Sequence, residues 1–163
     1  MNTELQEATT QSPTQTQAQA APRPADYAIY KPNQRGSGGV VRFNINRPRA
    51  AVFVEAANQS GEKQFDWEKK MTMKWGLTDL GAALAVLGGR QPQAKLFHQS
   101  EKANSAFEMS ARQEADRAPF LLAMSRQDNT TKEVQKVAIP LTFAEACVLE
   151  TALKAAIVRL LRW

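Results

Sequence analysis

Cations stand beside aromatic rings at several places in this chain. Arg42 precedes Phe43, and Arg47 and Arg49 lie just ahead of Phe53. Phe65 and Trp67 lead into Lys69 and Lys70, Lys74 precedes Trp75, and Lys95 stands two residues before Phe97. Flat rings stack on the faces of unpaired bases, while lysine and arginine neutralise phosphates. Each stacked base contributes roughly 1–3 kcal/mol and tolerates any sequence. A ring sealed in a core beside a solvated cation would read the same locally, so it is the recurrence over several segments that favours binding. The phosphate candidates are Lys31, Arg35, Arg42, Arg47, Arg49, Lys69, Lys70 and Lys74. The stacking candidates are Phe43, Phe65, Trp67, Trp75 and Phe97, some of which must be core.

Catalytic chemistry finds little support. There is one histidine, His98, and one cysteine, Cys147. Cys147 falls inside an apolar helical segment, where a buried structural thiol is expected. His98 has no sequence-local partner for a zinc site. Asp66 and Glu68 share one face of a strand pattern, but with Lys70 and Lys74 nearby, cross-strand ion pairing is the simpler expectation. The glycine-rich RGSGG (35–39) lacks the Gly-Lys-Ser/Thr ending of a phosphate loop and precedes no helix, so it reads as a flexible hairpin connection. No enzyme activity, metal or cofactor is expected.

The elements that must position these residues follow from pattern. Residues 1–25 are rich in Thr, Gln, Ala, Ser and Pro and have almost nothing to bury, so a disordered tail is expected. The tail holds Glu4, Glu7 and Arg23, a net −1, which leaves +6 of the chain's +5 on residues 26–163. A basic domain suits a polyanionic partner. No apolar run nears the roughly 20 residues of a membrane span, and the N-terminus resembles neither a secretory signal nor an Arg-rich transit leader. With a single cysteine, this fits a reducing, cytoplasmic setting.

From Tyr27 the pattern is one of short strands: 27–30, 40–46 and 50–57, with a turn at Arg47-Pro48. In KQFDWEKKMTMKW (63–75), a period of two puts Phe65, Trp67, Lys69, Met71, Met73 and Trp75 on one side, and a fourth strand is expected across the whole stretch. LTDLGAALAVLGG (77–89) reads as a helix with Thr78 as N-cap and Gly88-Gly89 as the stop. Strands then recur at 94–99, 106–113, 119–127 and 132–140, before a long helix over 141–163. Thr142 and Glu145 form a capping box there. The fold class is α+β, with ββββα written twice.

The last helix is apolar on nearly every side: Ala146, Cys147, Leu149, Leu153, Ile157, Leu160 and Leu161 lie around it. A surface helix shows one apolar stripe. A second covered side implies self-association.

FDWEKKMTMKWGLTDLGAAL (65–84) resembles the Whirly family of single-stranded DNA-binding proteins, which shows Tyr-Asp-Trp, a lysine-bearing strand and a Ser/Thr-capped helix. LFHQS (96–100), VAIPLTFAEACVLETAL (137–153) and the terminal Trp163 agree in order. The resemblance implies two four-stranded antiparallel sheets with two helices, and homotetramers joined through the C-terminal helix. It implies single-stranded DNA held between sheets with little sequence preference. IYKPNQRGSGG (29–39) departs from the family's Lys-Gly-Lys-Ala-Ala-Leu, with Lys31 matching one lysine. Assembly beyond a tetramer is therefore not expected. The lack of an organelle-type leader points to a bacterial, archaeal or phage relative.

The expected function is sequence-tolerant binding of single-stranded DNA during replication, recombination or repair. The rivals are an RNA-binding or transcription-regulating protein of the same fold, and an oligomer whose partner is a protein engaged through the tail.

Overall fold

The computed structural model describes residues 25–112 and 117–163. The expected tail, apart from Ala25, lies outside the described residues, as does Gln113 at the end of one expected strand. The chain runs β1 (Tyr27–Lys31), β2 (Gly39–Asn46), β3 (Ala51–Gly61), β4 (Gln64–Phe65), β5 (Met71–Trp75) and α1 (Leu77–Leu87). It continues with β6 (Gln93–Gln99), β7 (Ala103–Ala111), β8 (Phe120–Asp128), β9 (Val134–Leu141) and α2 (Phe143–Leu161).

Two antiparallel sheets result. In the first, β2 lies between β1 and β3, and β5 pairs with the far side of β3. The short β4 adds a fifth strand at the end of β3, beyond the four expected. The second sheet is a meander in the order β6-β7-β8-β9. Strand alternation gives each sheet an inner and an outer face. Val41 and Phe43 of β2, Val52, Val54 and Ala56 of β3, and Met71, Met73 and Trp75 of β5 are buried on the inner face. Phe107, Met109, Leu122, Met124, Val137 and Ile139 face them from the second sheet. Trp75 joins the two sheets: its ring centroid is 4.2 Å from that of Phe107 and 5.8 Å from that of Phe43. At Gly39 the sheets come so close that a Cβ would lie 2.7 Å from Val137 Cγ1.

The stretch 63–75 is not one strand. Trp67–Lys69 forms a single 3₁₀ turn, with the Asp66 side chain accepting from the Lys69 N–H at 3.3 Å. Aspartate competes in this way with ladder hydrogen bonds and breaks the alternation. Met71, Met73 and Trp75 keep the inner row, but Trp67 leaves it. Asp66 caps the turn instead of pairing with lysine across strands, and Lys70 pairs with Glu55 of β3. The loop before β2 is also more fixed than its glycines imply. The buried Gln59 accepts from the N–H groups of Asn33 (2.9 Å) and Gly38 (3.0 Å) and donates to the Asn33 carbonyl (3.0 Å).

Helix α1 begins one residue earlier than expected. Its N-cap is Gly76, not Thr78, and the Asp79 carboxylate reaches back to the Gly76 N–H at 2.9 Å. Gly88 closes it, and Gly89 turns out at φ +74°. Helix α2 has the capping box: Thr142 Oγ1 accepts from Glu145 N, and the Glu145 carboxylate from Thr142 N. Ala146, Leu149, Leu153 and Ala156 line its buried stripe. Cys147 is exposed, contrary to the expected buried thiol. Helical spacing sets it with Ala144, Val148, Thr151 and Ala155 on the opposite side. No helix among the described residues is long and apolar enough to cross a membrane.

Candidate nucleic-acid interface

The outer face of the first sheet gathers most of the ring-and-cation chemistry. Pairing across the strands sets Arg42 beside Glu55, Asn44 beside Phe53, Phe53 beside Lys74, and Glu55 beside Thr72. Arg42 is the centre of this face. Its guanidinium carbon lies 4.5 Å from the centroid of the Trp67 ring, which the 3₁₀ turn has carried to this side. Its Nε donates to Glu55 at 2.7 Å, and Lys70 holds the other Glu55 oxygen. Burial pushes the Glu55 carboxyl up, but hydrogen bonds and charge from Lys70 and Arg42 outweigh it and keep the group below the usual carboxylate range. Glu55 thus stays charged and fixes both cations. At the lower rim, the Arg49 guanidinium lies 5.7 Å from the Phe53 centroid, in a turn where Asn46 accepts from the Arg49 N–H.

The other candidates are dispersed. Phe43 and Trp75 lie on the inner row, buried, and cannot meet a base; this corrects their assignment as stacking residues. Their period-two rows are those of Val41 and Met73. Phe65 is half-buried with its ring 5.5 Å from that of Tyr30. Arg35 is exposed in the loop after β1, and Arg47 in the turn after β2. Lys69 is exposed beside a cavity shared with Arg126 and Asp128, and its carbonyl accepts from Gln135 of β9 at 2.6 Å.

Lys31 shares the inner row and is engaged there: its Nζ lies 2.6 Å from Glu145 at the start of α2. Burial raises the Glu145 carboxyl, but the Lys31 ion pair and the Thr142 N–H prevail and lower it. The resulting stability is fully present above the ordinary glutamate pKa of about 4.3 and is lost as pH falls through the lowered folded value. Glu145→Gln is therefore expected to lower stability by roughly 1 kcal/mol at pH 7, with the difference vanishing in acid. Urea denaturation at pH 7 and pH 3 checks this; an equal difference at both values would exclude the ion pair as the cause.

On the second sheet, Phe97 is 68% exposed and Lys95 Nζ lies 5.3 Å from its centroid. Phe97 borders small residues on neighbouring strands, Ala106 and Ser125, with Lys136 beyond. His98 is not a ligand centre; its Nε2 bonds Asp79 of α1 at 2.8 Å. Sequence reasoning passed over Asn44, Phe53 and Glu55 as site residues, and Lys136. A period-two row through 51–57 would have set Phe53 and Glu55 outward together.

A family model described as "Whirly transcription factor" matches residues 34–152. The chain belongs to the Whirly family. Whirly proteins are nucleic-acid-binding factors, not enzymes. The chain is 27% identical over 120 residues to the single-stranded DNA-binding protein WHY2, mitochondrial, of Arabidopsis thaliana, covering 71% of this chain and 50% of that protein. It thus spans about half the length of that curated relative. Its fold matches the crystal structure of WHY1 from Arabidopsis thaliana with a TM-score of 0.72 at 19% identity, over 88% of this Whirly chain and 89% of the other. It also matches a guide-RNA-binding protein complex bound to its guide RNA, with a TM-score of 0.58 at 18% identity, over 82% and 90% of the two chains.

Proposed function

We propose that this Whirly protein binds single-stranded DNA, tolerating many sequences, as a homotetramer, and that it acts where replication, recombination or repair exposes unpaired strands. One observation carries the reading: a single sheet face presents Trp67 under Arg42, with Phe53, Lys70, Lys74 and Arg49 around it. Rings for bases and cations for phosphates lie within one surface, as single-strand binding requires. The relative named for single-stranded DNA binding supports the choice of ligand. The assembly is supported by α2, whose outer side exposes Val148 and Val158, with Phe143 and Trp163 exposed at its ends. The guide-RNA complex of similar fold favours RNA as the second reading.

Tryptophan fluorescence titrated with single-stranded DNA, duplex DNA and RNA at two salt concentrations separates these. Single-stranded DNA should bind best, and affinity should fall as salt rises, because bound lysines and arginines release counterions from phosphates. Stronger RNA binding would favour the second reading. No binding to any of the three would leave a protein partner as the alternative.

A further inference from the structure

The outer face of the first sheet carries one feature that phosphate binding alone does not explain: an acid at its centre. Resting on the single-strand reading, we infer that the cavity over Phe53 reads the edge of a stacked base and favours bases with an exocyclic amino group over thymine. The cavity measures about 430 Å³. The half-buried Phe53 ring forms its apolar floor, and Arg49 and Arg42 stand at its rims, placed to hold flanking phosphates. The remaining wall is polar and rich in acceptors: Asp26, Asn44, Glu55 and Thr72.

The hydrogen bonds fix what this wall offers. Asn44 donates its amide N–H to the Asp26 carboxylate, which can only accept. The Asn44 carbonyl oxygen is thereby turned away from that bond, and it has no partner among the described residues. Glu55 receives Arg42 on one oxygen and Lys70 on the other. Each carboxylate oxygen offers about two lone pairs, so the oxygen facing Lys70 keeps one. A base resting on Phe53 therefore meets a carboxylate and a carbonyl oxygen beside its edge.

Cytosine and adenine present an amino donor with a ring-nitrogen acceptor next to it. Thymine presents a carbonyl oxygen on each side of one ring N–H, and those oxygens face acceptors here. Guanine carries an amino group too, but its strands self-associate and make a poor probe. A good polar contact to a base edge supplies roughly five-fold to a hundred-fold discrimination. An acid in this place also lowers phosphate affinity, so its presence at the centre of the face is accounted for by reading, not by anchoring.

The experiment measures binding of the full chain to oligo-dC, oligo-dA and oligo-dT of equal length at one salt concentration. The dC and dA strands should bind at least about five-fold tighter than dT. Glu55→Gln replaces one acceptor by an amide donor that thymine O4 accepts, so the dC-to-dT ratio should fall to within about two-fold. A change in net charge moves all three strands together and leaves this ratio alone. Asn44→Ala, on the same wall and outside the core, should lower the ratio as well, and covers the case in which Glu55→Gln fails to fold. Equal wild-type binding of the three strands, tighter dT binding, or a ratio unmoved in both variants would overturn the inference and leave single-strand binding standing. Failure of every strand to bind would overturn both.

Discussion

Trp67→Ala should weaken single-strand binding about tenfold and leave the unfolding transition nearly unchanged, since one stacked base is worth roughly 1–3 kcal/mol. Trp75→Ala should do the reverse. Its indole is fully buried between Phe43 and Phe107, at the one place where both sheets share a ring. Truncating a buried aromatic costs about 3–5 kcal/mol, a large part of the 5–15 kcal/mol that holds a domain together. Trp75→Phe should cost less, because it keeps a ring and removes an indole N–H that has no partner among the described residues. Urea denaturation measures the folding half of the comparison, and titration with a labelled oligonucleotide measures the binding half. If Trp67→Ala unfolded the protein and left binding intact, the outer face would lose its role.

These two tryptophans also mark where the sequence stopped being legible. Their spacing of eight residues sets both in one row of any uninterrupted strand. The row fails because Asp66 captures the Lys69 N–H and spends Trp67–Lys69 on a turn. A local side-chain bond of this kind leaves no periodic trace, so a period-two reading cannot see it. Met71, Met73 and Trp75 were legible as a core row because they lie past the interruption, where alternation resumes. The cap of α2 was legible for a similar reason: Thr142 and Glu145 are separated by one turn, and their bond is local. The partner of Glu145 was not, since Lys31 arrives from the opposite end of the chain. The same holds for the union of Arg42 with Trp67 and of Phe53 with Lys74. Strand order, not sequence distance, brings those pairs together. Cys147 was misjudged because α2 is apolar on two sides, and composition does not say which side the sheets cover.

That second side leads to the other large effect. Val148 is 50% exposed, on the stripe of α2 opposite Leu149 and Leu153. The wild-type chain should sediment well above its 18.0 kDa monomer. Val148→Glu should return it to monomer, because an unpaired carboxylate enclosed in an apolar contact costs several kcal/mol, repeated at every copy. Its midpoint of unfolding at low protein concentration should barely move, since Val148 contributes nothing to the monomer's core. Binding should then split by strand length. A short oligonucleotide that occupies one subunit should be held almost as before. A long strand, which several joined subunits grip at once, should lose about 10²–10⁴ in affinity when that linkage is removed. Sedimentation of both proteins, with titrations against a short and a long strand, tests each step separately. A monomeric wild type would end the assembly reading at once. An assembled Val148→Glu would place the contact on another surface. An assembly lost with no change toward long strands would mean that subunits bind independently.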